Sequence, residues 1–68
     1  MYQIIASVVK IHEDLSQTGY NIPTFYLDPQ CQGITDATHA EKVARDIINP
    51  TNDHTIKVNV CAVFVFPD

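Results

Sequence analysis

The closing stretch of the chain, Val58 to Phe66, reads Val-Asn-Val-Cys-Ala-Val-Phe-Val-Phe and constrains the fold more than any other segment. Its residues alternate as those of a strand do, so Ile56, Val58, Val60, Ala62, Phe64 and Phe66 share one side. The other side begins polar with Thr55, Lys57 and Asn59, then turns apolar with Cys61, Val63 and Val65. Toward its end the strand therefore needs cover on both faces. The chain has one helical segment of useful length, and one helix shields one face of a small sheet. The second face is left for another molecule.

Size makes such a partner useful. At 68 residues the chain is a single domain over residues 1–68, near the length at which a hydrophobic core is only just sufficient. A hydrophobic content of 46% is ordinary for a globular chain and argues against disorder. Eight acidic residues against four basic ones give a net charge of −4. The positives, Lys10, Lys42, Arg45 and Lys57, are scattered, so no footprint for nucleic acid is expected. The N-terminus lacks the basic region of a signal peptide, and no apolar run approaches the roughly 20 residues of a membrane span. Cys31 and Cys61 form no C-x-x-C motif and read as two thiols of a cytoplasmic protein.

Three strands and one helix are expected. Tyr2 to Ile11 alternates and is β-branched, which predicts a first strand. His12 to Pro23 is polar, carries Gly19 and Pro23, and reads as a broad loop. Thr24 to Leu27 predicts a short second strand stopped by Asp28-Pro29, with Gly33 supplying a further turn position. Thr35 or Asp36 can cap the helix, and Thr38 with Glu41 offers a capping box. Ala37, Ala40, Val43, Ala44, Ile47 and Ile48 form its apolar arc, and Pro50 ends it. The arrangement is α+β: a small ββαβ domain with a three-stranded, mainly antiparallel sheet of order 2-1-3 and the helix on one face. A right-handed crossover from the second strand to the third then passes over the first. The helix spans about 21 Å, whereas a strand from Thr55 to Phe66 spans roughly 40 Å. The uncovered surface should therefore centre on Cys61, Val63, Val65 and Phe66, with Ile5, Val9 and Ile11 extending it along the first strand.

Reactive residues are present without a catalytic pattern. His12 and His54 fall at strand ends that a β1/β3 pairing brings to one edge, but their spacing matches no metal-ligand motif, and solvated loop is the plainer reading. His39 borders the helical arc and is expected to lay its ring on Val43. Cys61 sits mid-strand in apolar company, where a thiol is a small unreactive hydrophobe; Cys31, in a glutamine-flanked loop, should be the more oxidisable. There is no Gly-rich phosphate loop, no G-x-S-x-G and no H-E-x-x-H. No enzyme, no cofactor and no metal are expected. Among the aromatics, Phe25 and Phe64 should fill core, while Tyr20 and Tyr26 flank a polar loop as interface anchors do.

The segments Thr24-Phe25-Tyr26-Leu27, Gln32-Gly33-Ile34, His39-Ala40-Glu41 and the Ala44-to-Pro50 helix end give the chain a recognisable plan. Over about residues 24–66 it resembles small uncharacterised accessory proteins of actinobacteriophages. That resemblance implies a phage protein acting in a bacterial host cytoplasm, and it carries no functional residue with it. The function expected is non-catalytic: a homo-oligomer, a dimer first of all, that binds and modulates a host or phage protein. One alternative is an oligomer that sequesters a nucleotide or metabolite between Tyr20, Tyr26, His39 and Arg45. The other is a minor structural component of a virion.

Overall fold

The computed structural model describes residues 1–66. Strands β1 (Tyr2–Ile11), β2 (Gln17–Leu27) and β3 (Ile56–Phe64) form an antiparallel sheet of order β2-β1-β3. Between β2 and β3 the chain makes a short helix α1 (Pro29–Gln32) and the main helix α2 (Ala37–Ile48). The expected α+β class, strand order and single main helix are all present.

β2 is longer than its sequence suggests. It starts at Gln17, so the expected loop shrinks to a tight turn in which His12 donates to the Ser16 carbonyl and Leu15 to the His12 carbonyl. Gly19 and Pro23 were expected to break the strand and do not. β2 is an edge strand, where a proline is tolerated, and one extra residue between Ile22 and Phe25 makes a bulge opposite Ile5. The turn Asp28–Gly33 holds the unexpected α1: Asp28 stays extended, as the following proline requires, and its carboxylate accepts from the Gln30 N–H. Gly33 closes α1 with a φ of 64°, a left-handed conformation in which glycine has no steric penalty.

α2 is capped by Asp36, whose carboxylate accepts from the His39 N–H at 2.8 Å. Thr38 lies inside the helix, so the Thr38–Glu41 capping box does not form. Lys42 reaches Asp46 at 3.3 Å one turn on, an exposed pair worth ~0.3–0.5 kcal/mol. After Ile48, the Asn49 side chain clips the exit: its amide donates to the Asp53 carbonyl and its oxygen accepts from the Asp53 N–H.

Ala40 and Ala44 carry no exposed surface and let α2 sit close on β3 and β1. Beneath them lie Ile4 and Ala6, joined by Leu27 and Ile34 in one buried cluster. Cover runs out quickly beyond that cluster. The molecule measures 46 × 20 × 14 Å, and its 13.3 Å radius of gyration exceeds the value of about 11 Å for a compact domain of this length. Its accessible surface of 4865 Å² exceeds the ~4,300 Å² of a folded monomer of this mass. β3 has no buried residue at all.

The loop into β3 predicts an acid response. Asp53 accepts from the Thr55 N–H at 2.9 Å and the Thr55 hydroxyl at 2.8 Å, and the Lys10 ammonium stands 3.8 Å away. The Thr55 backbone bond, then the Thr55 hydroxyl, then the Lys10 and His54 charges hold its carboxyl below the usual range. A carboxyl lowered on folding stabilises the fold above its unfolded pKa of about 3.9 and loses that contribution as pH falls through the folded value. Asp53→Ala should therefore lower the melting temperature at neutral pH and converge on the parent as the pH falls through the folded carboxyl's lowered value. A gap that stays constant from neutral to acid would show that the carboxylate's charge is not what matters.

Candidate functional site

Directly opposed residues of an antiparallel ladder project to the same face, so the register sorts the sheet into two surfaces. One carries Ile4, Ala6 and Val8 with Val58, Val60 and Ala62, and faces α2. The other is open and is built in rows across the strands. Tyr26, Gln3 and Val63 form one row, Ile5 and Cys61 the next, and Asn21, Ser7 and Asn59 a third. Beyond them lie Gly19, Val9 and Lys57, then Gln17 and Ile11.

Ile5 is 50% exposed, Val63 41% and Tyr26 55%, and Cys61 is exposed with them. This is the uncovered face expected around β1 and β3, with two corrections. It is not one continuous apolar surface, because the Asn21–Ser7–Asn59 stripe separates Ile5, Cys61 and Val63 from half-buried Val9 and Ile11. Phe66 does not belong to it: its ring packs edge-on to Phe64 at 5.1 Å, and Phe64 packs on Tyr2 at 5.2 Å, along the side that faces α2. Phe64 itself is 47% exposed and does not fill core as expected. Val65 is half-buried and ties the chain end to Met1 through its N–H.

Between the apolar rows and the polar stripe lies a shallow depression of about 300 Å³, lined by Ile5, Ala6, Ser7, Asn21, Asn59, Val60 and Cys61. Its lining combines apolar Ile5 and Cys61 with the amides of Asn21 and Asn59 and the Ser7 hydroxyl. That chemistry suits an apolar side chain whose backbone hydrogen-bonds at the edge. Cys61, which lines this depression on the uncovered face, is open to solvent.

The other singled-out residues lie apart. Tyr20 stands opposite Val8 on the helix-facing side and Tyr26 opposite Gln3 on the open side, so the two tyrosines do not meet in one chain. The His39 ring accepts from the Thr35 N–H at 3.3 Å, bracing the helix N-terminus. Arg45 lines a different groove with Lys42, Asp46, Asn49, Ile56 and Val58. His12 bonds the Thr18 hydroxyl at 2.8 Å. Among the described residues no group of three or more histidines, cysteines or acids stands close enough to hold a metal. Cys31 lies 3.5 Å from the Asp28 carboxylate, which raises its pKa through that hydrogen bond and its charge. Less thiolate forms at neutral pH, so Cys31 is less nucleophilic than its loop position suggested.

Sequence reasoning missed Leu15. It sits at the β1–β2 turn, 81% exposed, with a φ of 69° that costs a leucine ~1–2 kcal/mol. The signal was available: an isolated leucine in Glu13-Asp14-Leu15-Ser16-Gln17, where turn chemistry favours glycine or asparagine.

Among the described residues no helix is long and apolar enough to cross a membrane. Comparison with protein families, curated proteins and solved structures finds no match for this chain.

Proposed function

We propose that this protein is a non-catalytic interaction module, of the phage accessory kind, that binds and modulates a host or phage protein in a bacterial cytoplasm. The observation that supports the reading is the open sheet face, where Ile5, Tyr26, Cys61 and Val63 lie solvent-exposed around a depression lined by both apolar and hydrogen-bonding side chains. An apolar centre, a tyrosine and hydrogen-bonding groups at the margin are the ingredients of a protein-binding surface. The scattered positive charges suit a protein partner better than nucleic acid.

Ile5→Lys combined with Val63→Gln tests it. Both side chains point to solvent, so the doubly substituted protein should melt within a few degrees of the parent, a change of about 0.5 kcal/mol or less per site. It should lose the partners that immobilised parent protein retains from host or infected-cell extract. Recovery of the same proteins in the same amounts by both baits would sink the reading.

A further inference from the structure

We propose that β3 pairs edge to edge with β3 of a second copy, joining two sheets into one six-stranded antiparallel sheet. The inference deepens the interaction-module reading and rests on it only for what the joined surface then binds.

The starting point is the incomplete burial of β3. Val60 and Ala62 stand beside Ala6 and Ile4 in the ladder, and Ala6 and Ile4 are buried. Val60 and Ala62 stay half-buried, and among the described residues no strand pairs with β3 on the side away from β1. The strand between Ile56 and Phe64 has no proline, no glycine and no register shift, and its one charge is Lys57. A free edge is normally blunted by a proline, a bulge, charges or shortness. The opposite edge, β2, has both Pro23 and a bulge. The sheet therefore defends one edge and leaves the other fit for pairing.

The backbone says which groups are available. Ile11 donates to the Thr55 carbonyl and Val65 to the Met1 carbonyl, so the odd-numbered residues of this segment bond to β1. Alternation then turns the N–H and C=O of Ile56, Val58, Val60, Ala62 and Phe64 outward. Antiparallel pairing about a two-fold axis at Val60 matches all of them: Val60 with itself, Val58 with Ala62, Ile56 with Phe64. That makes about ten new backbone hydrogen bonds, and any slip leaves outward groups unmatched at both ends. No like charges come opposite one another.

Shape and area agree. A groove of about 300 Å³ between α2 and the start of β3, lined by Lys42, Arg45, Ile56 and Val58, lies where the register sets Phe64 of the second copy beside Ile56. Phe64 is 47% exposed and would be covered there. The surface of 4865 Å² is roughly 600 Å² above that of a folded monomer of this mass, close to what one partner contributes to a small stable interface. On the open face the same pairing brings Cys61 of each copy opposite Asn59 of the other, merging two apolar patches into one surface across the axis.

Two variants and one control test this. Parent protein should sediment as a dimer at high-micromolar concentration. Val58→Pro removes an N–H that points away from β1, so the internal ladder is kept; the variant should stay folded by circular dichroism while its dimer dissociates about tenfold more readily or worse. Asn59→Cys in a Cys31→Ser background should form intermolecular disulfides with Cys61 under mild oxidation, since opposed residues of a non-hydrogen-bonded pair have Cα atoms ~4.5 Å apart. Cys31→Ser alone should cross-link far more slowly. A monomeric parent, a folded Val58→Pro protein that keeps its dimer, or no acceleration of cross-linking by Asn59→Cys overturns the proposal. If Val58→Pro fails to fold, the cross-linking result decides alone. Ile5→Lys with Val63→Gln should remain dimeric, so loss of the dimer and loss of partner capture are read separately.

Discussion

Ile4→Ala should leave the chain without a stable native state, while Ile5→Ala, one residue on, should scarcely register. Ile4 has no exposed surface and lies at the centre of the cluster with Ala40, Ala44, Leu27 and Ile34. Truncating a fully buried isoleucine costs ~2–5 kcal/mol, from lost transfer free energy and the cavity left behind. A core of this size rarely supplies more than about 3–5 kcal/mol in total, so one deletion consumes most of the margin. Ile5 projects to the open face at 50% exposure, and its truncation should cost about 0.5 kcal/mol or less. Chemical denaturation of the two variants checks this directly. Because a one-residue slip of β1 exchanges its faces, equal losses or the reverse ranking would mean that the register is wrong.

Ala40→Leu should be the second large effect, and it acts in the opposite sense by adding volume. Ala40 is wholly buried where α2 meets the sheet, with Ile4 and Ala44 in the same cluster. There is no space for an isobutyl group unless the helix lifts away, which uncovers Ile4 and Ala6 as it does so. Overpacking of this kind costs ~1–3 kcal/mol. The variant should keep its helical signal, since leucine is nearly as good a helix former as alanine, while its unfolding midpoint drops and a hydrophobic dye binds. An unchanged midpoint would show that α2 does not rest on its alanines.

Much of the fold was legible because its strongest elements carry local signals. β1 shows period-2 alternation from Tyr2 onward, and α2 shows a capped, apolar arc ending at Asn49-Pro50. With two strands before the helix and one after, the crossover rule leaves β1 in the middle. β2 was harder, since Gly19 and Pro23 argue against a strand when read in isolation. Their cost is low at an edge, and edge position is a property of the assembled sheet. α1 was missed for a related reason: four residues give no periodicity, and only the Asp28 cap and Gly33 mark it.

The candidate site divides in the same way. Ile5, Cys61 and Val63 could be placed on an uncovered face from the alternation of β1 and β3 and the shortage of helix. The polar stripe was legible only in part: Ser7 and Asn59 follow from the same alternation, whereas Asn21 could not be placed, because a single extra residue in β2 sets which of its side chains stand on that face. The same bulge shifts the face alternation of β2, so Tyr20 ends opposite Val8 and Tyr26 opposite Gln3.

By itself the sequence determined an excess of apolar strand surface over helical cover, and it located that excess toward the end of the chain. That follows from composition and period alone, which depend on covalent order. Only the tertiary structure decided where the excess lies open: along a β3 edge with unmatched hydrogen-bonding groups, and on a face split by a polar stripe. Those depend on register, on the bulge and on where a 12-residue helix comes to rest, and each is fixed by pairing between residues distant in the chain.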